Sequence, residues 1–167
     1  MTSVQFLFPE NRLAKLVRQP GGVGQQQAMT AAAANLETIS GELLAAIDQY
    51  LAQIEALGAN PALSQDPALQ AEMYQSSNYV AGMAGHCGRP ELGRAAYTLC
   101  EVLDRFLAGA TWSAPAVIVH LDALKLLRQM DPAAPEAASK AVIDGLRSVT
   151  ERIVRPPEAP DQPSKAE

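Results

Sequence analysis

Apolar positions recur at intervals of three and four in five separate stretches of this chain, each bounded by proline or glycine. From Thr30 to Leu57 the recurring residues are Leu36, Ile39, Leu43, Ile47, Tyr50, Ile54 and Leu57. That spacing puts them on one stripe of a long helix. Gly58-Ala59-Asn60-Pro61 ends it, with Gly58 suited to the position just past a helix end. Asp66-Pro67 supplies an N-cap and a first-turn proline for a second helix, with Leu69, Met73, Val80 and Ala84 inward. Gly88-Arg89-Pro90 breaks the chain again. A third helix runs from about Pro90 to Ala108 with Leu92, Ala96, Leu99, Leu103 and Phe106 on one face, and Gly109 ends it.

Ser113 and Pro115 start a fourth helix carrying Val117, Leu121, Leu124, Leu127 and Met130. After Asp131-Pro132 a fifth, over about 135–154, carries Ala138, Val142, Leu146, Val149 and Ile153. Five amphipathic helices with short connections pack best as an antiparallel bundle, here over residues 29–154. Residues 1–28 read as an arm and linker, punctuated by Pro9, Pro20 and Gly21-Gly22-Val23-Gly24. Val4, Phe6, Leu7, Phe8, Leu13, Leu16 and Val17 make the arm too apolar for plain disorder. It is expected to lie against the bundle or a second subunit, which makes a homodimer through the arm plausible. Residues 155–167 are proline-rich and polar, a composition expected to stay disordered.

Composition narrows the class further. Hydrophobic residues make up 48% of the chain and aromatics only 5%. Abundant Ala and Leu favour helices over sheets. The net charge of −5 leaves no basic face for nucleic acid or an anionic membrane surface. The longest apolar runs fall far short of a membrane span, and Met1-Thr2-Ser3-Val4-Gln5 lacks the pattern of a secretory signal. Two cysteines, Cys87 and Cys100, are no disulfide framework, so reduced thiols and a cytoplasmic setting are expected.

The residues that invite a functional reading lie on the outer face of the second helix. With Val80 inward, Asn78 stands about 200° away and faces solvent. Its neighbours three, four and seven residues away are Tyr74, Gln75, Ala81, Gly82 and Gly85. The C-terminal half of that face is nearly bare backbone. A helical glycine costs about 1 kcal/mol against alanine. Two on one solvent face suit close approach by a partner, although a frayed helix end or close approach by another part of the same chain would also fit.

Other chemistry is thin. His86, Cys87, Cys100 and His120 have no metal-ligand spacing, so neither a metal nor a cofactor is expected. The Gly21–Gly24 stretch lacks the lysine and hydroxyl of a phosphate loop. Glu37, Glu42, Asp48 and Glu55 read as the solvated side of the first helix, and His120 as structural.

The run Asn78-Tyr79-Val80-Ala81-Gly82-Met83-Ala84-Gly85, followed by Gly88-Arg89-Pro90-Glu91-Leu92, resembles the signature of histidine phosphotransfer (HPt) domains, a His-x-x-Lys-Gly pattern followed by small residues, a break and a further helix. The resemblance extends over roughly residues 4–153 to HPt-like proteins of the alphaproteobacterial type. It takes in Phe8-Pro9-Glu10-Asn11-Arg12-Leu13, Leu99-Cys100-Glu101-Val102-Leu103 and His120-Leu121-Asp122-Ala123-Leu124. It implies an antiparallel four-helix bundle with an additional helix and an extended N-terminal arm. The departures are chemical. Asn78 stands where the phosphoacceptor histidine belongs, and an amide cannot replace the imidazole nucleophile. Ala81 stands where a lysine would neutralise phosphate.

The resemblance therefore implies a non-catalytic signalling adaptor, a pseudo-HPt. It would bind a receiver domain or histidine kinase through Tyr74, Gln75, Asn78, Ala81, Gly82 and Gly85, and modulate a two-component phosphorelay such as one serving chemotaxis. Two alternatives stand beside it: phosphotransfer through His86 as a displaced phosphoacceptor, and a dimerising structural bundle.

Overall fold

A computed structural model describes residues 21–131 and 136–154. Most of the N-terminal arm and the whole of the C-terminal tail lie outside the described residues. Every regular element among the described residues is helical: α1 (Gln25–Gly58), α2 (Pro67–Ala84), α3 (Pro90–Leu107), α4 (Ala114–Gln129) and α5 (Glu136–Arg152), with short 3-10 turns at Pro61–Ser64 and Gly85–Cys87. The five predicted helices are thus present. No helix among the described residues is long and apolar enough to cross a membrane.

The chain divides into two units, Met1–Thr38 and Ile39–Glu167. In the first, the described residues from Gln25 onward are the beginning of α1. This helix starts at Gln25, earlier than the expected Thr30, because the Gln- and Ala-rich run propagates helix readily. The Ala28 amide already donates to Gly24 O at 2.9 Å. Leu36, expected on the buried stripe, is 66% exposed.

In the second unit the remainder of α1 pairs with both α2 and α4. Tyr50 stacks on Tyr79 with ring centroids 4.9 Å apart, and Gln53 Nε2 donates to Glu72 Oε1 at 2.8 Å, so α1 and α2 run antiparallel. On the α4 side Arg128 grips Asp48 through two hydrogen bonds of 2.6 and 2.8 Å, and Lys125 reaches Glu55 at 2.7 Å. Asp48 and Glu55 are therefore not merely solvated. Gly58 is the last helical residue instead of a C′ residue, and a Cβ there would run into the end of the Leu121 side chain.

α2 and α3 make the most extensive contact. They cross at Gly93, where a Cβ would sit 3.1 Å from Ala81 O, and again where Cys100 Sγ donates to Tyr74 O at 3.7 Å. α3 also packs on α4 and α5.

The core follows the predicted stripes. Ile47, Ile54, Met73, Val80, Leu92, Leu99, Leu103 and Leu124 are essentially inaccessible. The stripe of α1 is exposed at Ile39 as well as Leu36, and on α5 Ala138 faces solvent while Ile143 is buried. Polar residues also enter the core. Ser77 Oγ donates to Met73 O at 2.8 Å, Ser76 to Glu72 O at 3.1 Å, and Thr150 to Leu146 O at 3.0 Å. Each hydroxyl satisfies itself on the carbonyl one turn back, so its burial leaves no orphan. Buried Gln70 donates to Leu63 O at 2.9 Å and pins the 3-10 turn to α2.

Candidate functional site

α2 begins as its sequence dictates. Asp66 Oδ1 accepts from the Ala68 amide at 2.8 Å and Pro67 takes the first helical position. Its end is equally defined. The helix tightens into the 3-10 turn Gly85–Cys87, and Gly88 then takes the left-handed conformation at φ 68°. The Arg89 amide reaches back to Ala84 O at 2.9 Å, and the Gly88 amide to Gly85 O at 3.2 Å. This reverse turn closes the orphan carbonyls of the helix, so the glycine-bearing end is capped and not frayed.

Between these caps the outer face carries Gln75, Asn78, Gly82 and Gly85, all exposed. A Cβ added at Gly82 or Gly85 would meet nothing within 4 Å. Among the described residues, no element of the chain occupies the space that the missing side chains leave. Fraying thereby loses its support as an explanation for these glycines, whereas approach by the N-terminal arm concerns residues 1–20, outside the described residues. Tyr74 and Ala81, expected on the same face, are half-buried: they sit toward α3, at the edge of the face. Tyr79, which was not singled out, is 50% exposed beside Asn78 and held by its stack on Tyr50. The aromatic spacing of Tyr79 from Tyr50 could not show in the sequence, because it depends on how α1 and α2 align.

Beside the face a groove of about 410 Å³ opens between α2, α3 and α5, lined by Ala81, Gly85, Gly93, Tyr97, Ile143 and Arg147. Tyr97 is 59% exposed there. Small residues of α2 thus continue into an aromatic and a cationic side chain contributed by other helices. Such a surface offers backbone approach, an exposed aromatic ring and, with Arg94 and Glu101 also lining it, charges of both signs.

The remaining chemistry-bearing residues do not converge. His86 is exposed on the 3-10 turn that ends α2. Cys87 is half-buried, its Sγ 3.8 Å from Ser40 O, and burial pushes its thiol up. Cys100 is buried in the α2–α3 contact, and burial pushes its thiol up to about 12. Neither thiol is poised to be a thiolate. Both are free, and among the described residues no group of His, Cys, Asp and Glu can hold a metal ion.

His120 is fully buried. Its Nδ1 lies 2.7 Å from Ala116 O and therefore carries the proton, while Nε2 has no partner among the described residues. Burial pushes its pKa down, only partly offset by the bond to Ala116 O, so the ring is a neutral core residue.

Comparison of the chain with protein-family models, with curated proteins and with solved structures finds no match.

Proposed function

We propose that the chain is a non-catalytic signalling adaptor that docks a receiver domain or a histidine kinase on the outer face of α2 and so modulates a cytoplasmic two-component phosphorelay. One observation carries this reading: a capped helix end presents two glycines, Gly82 and Gly85, whose missing side chains would meet nothing among the described residues. A helix keeps such costly residues on its surface when something outside the chain needs its backbone. The resemblance to HPt domains supplies the class of partner. The side-chain contacts of α1 with α2 and α4, and the packing of α3 on α2, α4 and α5, are compatible with a four-helix bundle in which α5 is the additional helix. Asn78 stands at the centre of the face, exposed, where the resemblance puts a phosphoacceptor. An amide accepts and donates hydrogen bonds there but takes no phosphoryl group.

The test is binding of receiver domains and histidine kinases from the same organism to the wild-type chain and to Gly82→Leu. The variant side chain has room and improves helix propensity, so the fold survives while docking is lost. Unchanged affinity in Gly82→Leu sinks the proposal. A second reading has its own observation: His86 is the exposed imidazole nearest this face. Incubation with a kinase and ATP decides it, since acid-labile phosphate that disappears in His86→Gln makes the chain a phosphotransfer protein with a displaced site.

A further inference from the structure

Three helix ends meet at Arg89. Its amide closes α2 on Ala84 O at 2.9 Å, and its carbonyl accepts from the Gly93 amide at 3.2 Å in the first turn of α3. Its half-buried side chain serves neither helix. The guanidinium reaches the end of α4 instead, where Nη1 donates to Met130 O at 2.5 Å and to Arg128 O at 3.4 Å. Carbonyls at a helix end lack partners within their own helix, and a cation suits the negative end of the dipole. The position forgoes something for this bridge. Arg89 is the N-cap residue of α3, where a Ser, Thr, Asp or Asn side chain would contribute about 1 kcal/mol, and it makes no side-chain cap bond there.

We propose that Arg89 is a positioning residue for the docking face: it ties the turn that ends α2 to the end of α4, so that the two ends open as one. The turn is too short and too constrained to absorb a shift of the guanidinium. Only Gly85 to Gly88 separate Ala84 from Arg89, the Gly88 amide is held on Gly85 O at 3.2 Å, and Gly88 is left-handed at φ 68°. A displacement at Met130 O is therefore passed to the backbone of Gly85. By linkage, a partner seated on Gly82 and Gly85 steadies the end of α4, and whatever steadies that end strengthens docking by the same factor. The purpose of the bridge rests on the docking reading, whereas the bridge itself is tested with no partner present.

The experiment is nitrogen-15 relaxation dispersion on the full chain, read at the amides of Gly85, Gly88 and Met130, with Gly145 of α5 as a distant control. Arg89→Met keeps an apolar stem and removes the donors. Because the side chain caps neither α2 nor α3, a purely local role predicts a change near Met130 alone. The bridge predicts that the opened population rises at least about tenfold at Gly85 and Gly88 as well as at Met130, the loss of a charged hydrogen bond being of that size. Arg89→Lys, which restores a cationic donor, should bring all three back toward the wild type while Gly145 stays unchanged throughout. A response confined to Met130 overturns the proposal, as does equal broadening at Gly145, which would mean general loosening of the fold. Gly82→Leu decides docking and these spectra decide the bridge, so each can fail alone.

Discussion

Gly93 on α3 and Gly82 on α2 look alike in the sequence, each a glycine inside an amphipathic helix, and their surroundings are opposite. Gly93 is buried where α2 and α3 cross, with Ala81 O and Ala84 Cβ against the space a side chain would need. Gly82 faces nothing among the described residues. The first cost to helix propensity is offset inside the chain, by letting two helix backbones approach. The second has no offset within the described residues. The difference teaches where to look for an external partner: at the glycine whose absent side chain no neighbour has claimed.

Substitutions break the comparison in order of size. Gly93→Leu forces a branched side chain against the Ala81 carbonyl and should cost about 3 kcal/mol by overpacking, read as a lowered midpoint in urea. Arg105→Ala removes the guanidinium that donates to Thr150 O and, at 2.8 Å, to Ile153 O. It should cost about 2 kcal/mol, because charged donors to buried acceptors are expensive to lose.

Acid should act through His120. Its folded pKa is depressed below the ordinary 6.5, so the unfolded chain takes up the proton first. The stability from keeping it neutral is complete above about 6.5 and is lost as pH falls below that value toward the folded pKa. His120→Leu should flatten this part of the pH–stability curve. An unchanged acid limb in that variant would assign the loss to other groups. The smallest effect has the opposite sign. Gly82→Ala should stabilise the chain by about 0.5–1 kcal/mol, because it gains helix propensity in open space. A destabilised Gly82→Ala would mean that something does occupy that space.

Much of the fold is legible because the chain marks its own breaks. Asp66-Pro67, Gly88-Arg89-Pro90 and Gly109 delimit the helices where capping chemistry says they should. The stripe of α3 is buried throughout, and those of α2 and α4 are buried except at the half-buried Leu69, Leu121 and Met130. What was not legible depends on neighbours distant in sequence. Ser76 and Ser77 are polar, yet each hydroxyl closes on its own helix and enters the core. Gly93 reads as a weak point in α3 until α2 is laid across it. Tyr74 and Ala81 share a helical face with Asn78, and only the position of α3 reveals that they fall at its covered edge. Leu36 and Ile39 share a stripe with Ile47, but a periodic pattern does not say where its covering helices stop. The candidate face was legible in its exposed residues, Gln75, Asn78, Gly82 and Gly85, because these follow from helix geometry alone.

Arg105 has a consequence for how the molecule breathes. The last turn of a helix usually exchanges its amide hydrogens fastest, since its carbonyls are unpaired and its end opens without disturbing anything else. Here the closing carbonyls of α5 are held by a side chain rooted in α3, the helix in contact with α2, α4 and α5 alike. Opening that end must therefore disturb the middle of the fold. Amides near Thr150 and Ile153 should exchange with the slow core of α3, ahead in protection of those near Ala137, so that α5 loosens from its beginning and not from its end.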